Sequence, residues 1–146
     1  MLFRSRSALV DAGGDLAIGE PPPGRSGWLV SLPDGDTIRL ARAAVATSGD
    51  RERHVVIDGV RYGHIVDPAT GLGRTDTPSV TVIAPTATRA DALASALSIL
   101  ERTRGEALVR QLSGTWARVD GPRSWTASGP ELAAPVIYHH FEKDPS

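Results

Sequence analysis

SVTVIAPTATRADALASALSILERTRGEALVRQL, residues 79–112, changes its pattern part-way. The first six residues are rich in β-branched side chains and read as a strand. After Pro85 the apolar residues Leu93, Ala96, Leu97 and Leu100 recur at three-to-four spacing, and Leu108 and Leu112 continue the stripe beyond Gly105. That is the period of an amphipathic helix over 88–112. A strand running straight into a helix, among other strands, sets the fold class.

Working outward, the flanks supply those strands. WLVSL at 28–32 and TIRLA at 37–41 flank the turn residues PDGDT, which predicts a hairpin. VVI and VRY flank Asp58-Gly59, the commonest signal for a two-residue hairpin turn. TWARVDG at 115–121 and SWTASG at 124–129 read as two further strands. GEPPPGRSG at 19–27 is a loop, and SALV at 7–10 is a short apolar run before AGGD. The sum is α+β: a mostly antiparallel sheet with one long helix packed on it. Residues 1–129 form the domain, and 130–146 a C-terminal tail without a clear assignment.

The totals exclude several classes. A length of 146 residues suits one domain. A net charge of −1 gives no broad basic field for nucleic acid or acidic lipid. Fifteen of the sixteen basic residues are Arg, but they are scattered. The chain has no Cys, so thiolate metal sites and disulfides are excluded. No apolar run approaches the ~20 residues of a membrane span, and MLFRSRSALV is too short for a secretory signal. Read as written, the chain is cytoplasmic.

Asp91 and Ser95 are four apart on the helix and so lie on one face. A carboxylate and a hydroxyl so placed can share a hard cation such as Mg²⁺. Thr88 with Asp91 also makes an S/T-x-x-D pattern, in which Asp91 would merely help cap the helix. Spacing alone leaves both open. In GHIVDPATG at 63–71, Pro68 keeps the preceding residues extended. His64 and Val66 then share one face, and Ile65 and Asp67 the other. His64 can move a proton or hold a substrate atom, whereas Asp67 suits the backbone of the turn that follows. ATSG at 46–49 and AGGD at 12–15 could admit a phosphate, but without a P-loop pattern they read as ordinary turns. Trp28, Trp116 and Trp125 are packing residues, and the pair His139–His140 sits in the tail.

Taken in order, AVATSGDRE, DGVRYGHIVDPATG and SVTVIAPTATRADALASAL resemble the ApbE-type FAD:protein FMN transferases. AGGD matches the glycine pair that precedes these motifs in the family, and VDG with WTASG suits its C-terminal strands. The resemblance covers about residues 7 to 129. It implies an ApbE, T-fold-like domain and a Mg²⁺-dependent enzyme. FAD is the substrate, and FMN is joined through its phosphate to a threonine of a target flavoprotein.

By the same resemblance Asp91 and Ser95 are metal ligands, with Ser95 replacing the more usual threonine but keeping the oxygen. His64 matches the histidine that assists transfer, and Ile65 the position that contacts FAD through its main chain. The family runs to about twice this length, and its upstream half carries further flavin and metal contacts. The resemblance therefore implies the C-terminal half of such an enzyme, with the N-terminal half missing. Two forms follow: a transferase, alone or joined by a second chain that supplies that half, and a non-catalytic binding or assembly domain.

Overall fold

A computed structural model describes residues 5–49, 54–131 and 137–138. Its main sheet has six strands, all antiparallel, in the order β1-β2-β5-β8-β9-β10. These are β1 (Leu9–Ala12), β2 (Asp15–Ile18), β5 (Ala43–Ser48), β8 (Ser79–Ala84), β9 (Trp116–Asp120) and β10 (Trp125–Ser128). The hairpin expected at 28–41 forms as β3 (Trp28–Ser31) and β4 (Thr37–Leu40), and β11 (Ile137–Tyr138) from the C-terminal segment pairs with β4. The Asp58-Gly59 hairpin forms as β6 (His54–Ile57) and β7 (Val60–Gly63), with both turn residues at positive φ (49° and 78°) as a type I′ turn requires.

SVTVIA is buried along nearly its whole length because both faces of β8 are covered. Val80, Val82 and Ala84 meet the helices, together with Leu93, Leu97 and Val109. Ile83, on the opposite face, joins Val30, Ile38, Leu40 and Trp116 under the β3–β4 hairpin. The molecule is therefore three layers: helices, main sheet, small sheet. Arg118 ties the last two together. On β9 it is 9% exposed, and it pairs with Asp34 and, through Nη1 at 2.9 Å, with Asp36, both in the β3–β4 turn. A third carboxylate, Asp120, lies 3.2 Å from its Nε.

The sequence pattern predicts one helix over 88–112, but the structure has two, α1 (Ala87–Leu97) and α2 (Arg102–Gln111). Local chemistry explains where the break falls. The Ser98 hydroxyl donates back to Ala94 O at 2.8 Å, and Ile99 N donates to Ala96 O, which tightens the last turn. Topology explains why a break is needed. β8 and β9 are adjacent and antiparallel, so the connection must return to the end of the sheet where β8 stops. One helix would leave the chain at the opposite end, after roughly 37 Å against a strand of roughly 20 Å. Two helices bring it back. Gly105 fits the second one in: a Cβ there would lie 3.0 Å from Trp125 Cζ2 and 3.2 Å from Leu97 Cδ2.

Thr86, not Thr88, caps α1, its hydroxyl accepting from Arg89 N at 3.3 Å. Asp91 lies beyond the first turn, which contains no acidic residue. The capping explanation for Asp91 is thus removed.

Candidate functional site

α1 buries Ala90, Leu93, Ala94 and Leu97 against the sheet. Asp91 and Ser95 fall off that stripe and are exposed. They face a cavity of about 560 Å³ at the end of β5, where β2 begins. His64 reaches the same cavity from the loop after β7. Three of the four candidate residues thus come together from parts of the chain some 30 residues apart. Ile65 does not line the cavity: its side chain is 8% exposed, and its carbonyl accepts from Arg74 N at 3.1 Å.

The segment around His64 is extended, as Pro68 demands, and folds back on residues 72–74 through a Val66–Gly73 bridge. Asp67 has the structural role. Its Oδ1 accepts from Ala69 N at 2.8 Å and its carbonyl from Gly71 N at 2.8 Å, with Gly71 at φ 70° closing the turn. The turn fixes the ribbon that presents His64, and His64, like Val66, is exposed while Ile65 is buried.

Both small-residue loops, which read as ordinary turns, also border the cavity. Gly13 and Gly14 form the β1–β2 turn at φ 72° and 98°, and nothing lies within 4 Å of a Cβ built at either. Thr47 and Ser48, which end β5, and Gly49 just after them line the same cavity. Asp15, which sequence reasoning did not single out, is the most informative residue here. Burial raises its carboxyl pKa, and the Asp91 carboxylate raises it further. A hydrogen bond from Thr47 N opposes this, and Asp11 adds a smaller upward push. Its position directly after Gly-Gly was the available signal.

The donor set suits a hard cation. Asp91 and Ser95 supply oxygens on one helix face, and the like charge of Asp15 nearby is what a bound cation would relieve. Among the described residues no group of three or more His, Cys, Asp or Glu could cage a metal. Any ion held here would keep water ligands, as Mg²⁺ ordinarily does. His139 and His140 lie outside the described residues.

Comparison with known proteins places the chain in a family. The ApbE family model matches residues 3–119. The chain belongs to the ApbE family. A FAD:protein FMN transferase of Treponema pallidum is 38% identical over 125 residues, covering 74% of this chain and 34% of that protein. The crystal structure of the ApbE protein of Thermotoga maritima superposes with a TM-score of 0.68 at 38% identity, covering 84% of this chain and 42% of the other. The flavin transferase ApbE of Vibrio cholerae gives 0.65 at 29%, covering 82% and 42%. This ApbE domain thus spans about a third of the length of its Treponema relative. Among its described residues no helix is long and apolar enough to cross a membrane.

Proposed function

We propose that this ApbE domain provides the metal- and phosphate-facing half of an FAD:protein FMN transferase. Its substrate is FAD, and its partner is a flavoprotein with an acceptor threonine. The observation that carries the reading is the convergence of Asp91, Ser95 and His64 on one cavity bordered by two glycine-containing loops. Asp91 and Ser95 would hold Mg²⁺. When bound, that ion would neutralise charge on the FAD pyrophosphate and on the departing phosphate.

The chain's own residues account for the rest. The acceptor threonine oxygen bonds to the FMN phosphorus, the bond from that phosphorus to the bridging oxygen breaks, and AMP leaves. His64 would take the proton of the attacking hydroxyl, a role typically worth ~10²–10⁴-fold. Gly13 and Gly14, with open space where side chains would stand, let phosphate oxygens approach the backbone. Ile65 would contact FAD through its main chain, its carbonyl already tied to Arg74. Isothermal titration of FAD with and without Mg²⁺ tests the reading. Binding should require Mg²⁺ and disappear in Asp91→Ala; metal-independent binding unaffected by that change would reject it.

A second reading is favoured by the β6–β7 ribbon. Val55, Ile57 and Val60 share one face of it and are 55%, 54% and 42% exposed. A two-stranded ribbon is at best marginally stable alone. In this reading the ApbE domain serves assembly, the ribbon packing against a second chain, and no flavin binds at any Mg²⁺ concentration.

A further inference from the structure

One wall of the Asp91–Ser95–His64 cavity comes from the small sheet. Val30 and Ser31 at the end of β3, with Leu32 and Pro33 just after them, line it from the opposite layer to α1. The turn that follows closes on itself: Leu32 N donates to Asp36 O at 2.7 Å and Gly35 N to Leu32 O at 3.0 Å. Arg118 joins this turn to the main sheet through the carboxylates of Asp34 and Asp36. Arg118 itself does not line the cavity.

A second path leads from Arg118 to the cavity. Arg118, Thr81 and Thr47 are register partners across β9, β8 and β5, so their side chains share the face that meets the hairpin. Thr81 is 1% exposed, and its hydroxyl lies 3.2 Å from that of Thr47, which lines the cavity. Thr47 N in turn donates to Asp15. Around this polar row the interlayer is apolar, built from Val30, Ile38, Val45, Ile83 and Trp116. Apolar burial is non-directional, so it holds two layers together without fixing how one sits on the other. A charge buried there costs desolvation that a packing residue would not, which makes stability a poor reason for Arg118. Its directional contacts instead select one placement of the hairpin.

We propose that Arg118 is a positioning residue for FAD: it fixes Leu32 and Pro33 as a wall of the cavity without touching the substrate. This role rests on the reading that FAD binds there with Mg²⁺.

The test combines amide hydrogen exchange with FAD titration in Mg²⁺, on the whole chain, for the parent, Arg118→Lys and Asp36→Asn. Lys keeps the charge but loses the planar fork, and Asn keeps the shape of Asp36 but loses its charge. In both variants the Leu32 and Gly35 amides should exchange faster, while Mg²⁺ affinity stays at the parent's value. FAD affinity should fall about tenfold, within the range for residues that act on a ligand without touching it. Val109→Ala opens the core on the helix side, away from the hairpin, and should destabilise the fold yet leave FAD affinity unchanged. The role is overturned if Val109→Ala weakens FAD binding equally, or if the Leu32 and Gly35 amides keep the parent's exchange rates. Absence of FAD binding by the parent rejects the transferase reading and this role with it. Binding by the parent that both variants match overturns this role alone.

Discussion

The carboxyls of Asp15, at the start of β2, and Asp91, on α1, are near enough that the charge on one raises the pKa of the other. Burial contributes the larger part of the rise. Folding therefore favours protonated Asp15. That contribution is fully present below the unfolded carboxylate value of 3.8 and is lost as pH rises through the raised folded value. Asp15→Asn, which does not ionise, should be more stable than the parent at neutral pH in EDTA, and the gap should close toward pH 4. Thermal melts of both proteins across pH 4–8 check this; a gap that widens on acidification would contradict it.

Removal of the capping explanation separates binding from stability at α1. Asp91→Ala should reduce Mg²⁺ affinity by at least about tenfold, the loss expected even for an outer-sphere partner, and leave urea unfolding nearly unchanged. Thr86→Ala should do the reverse, costing about 1 kcal/mol through loss of the cap while Mg²⁺ still binds. If Asp91→Ala destabilised the fold as much as Thr86→Ala does, Asp91 would be structural.

Ser95 predicts a graded series. Ser95→Thr keeps the hydroxyl oxygen on the same helix face and should bind Mg²⁺ within a few-fold of the parent. Ser95→Ala removes the oxygen and should weaken it, by titration calorimetry, about as much as the loss of any one hard ligand. Equal affinity in Ser95→Ala and Ser95→Thr would remove Ser95 from the site.

Arg118 joins the two sheets. Of its three carboxylate contacts only Nη1 to Asp36 has hydrogen-bond geometry, and Nε and Nη2 are held by charge. Arg118→Met would leave Asp34, Asp36 and Asp120 facing one another. Asp34 and Asp120 are 33% and 42% exposed. Their exposure puts the expected loss near the low end of the range for a broken buried pair, about 3 kcal/mol. Chemical denaturation of the two proteins measures it.

The two hairpins and β8 were legible because their signals are local, whereas β1, β2 and β5 showed only as short apolar runs or turns. Asp58-Gly59 and PDGDT specify hairpins without reference to the rest of the chain, and SVTVIA has enough β-branched residues to be unambiguous. The helix break at Ser98 was not legible from the stripe, because leucines on either side keep the period. What requires it is the antiparallel pairing of β8 with β9, a relation between strands. The site divides in the same way. Asp91 and Ser95 share a face by spacing alone, and the Asx turn at Asp67 follows from Pro68 and Gly71. Asp15 gains its meaning from Asp91, 76 positions away, and only folding brings them together. The apparent cap at Thr88 misled because Thr86, two residues earlier, does the same work.

The most direct measurement is anomalous diffraction from a crystal of the chain soaked with Mn²⁺, a redox-quiet substitute for Mg²⁺ with the same preference for oxygen. A single strong peak within bonding distance of the Asp91 carboxylate and the Ser95 hydroxyl, on the side of the cavity that His64 faces, is the predicted result. A peak elsewhere, or none while Mn²⁺ binds in solution, would contradict the proposed metal site and the transferase function built on it.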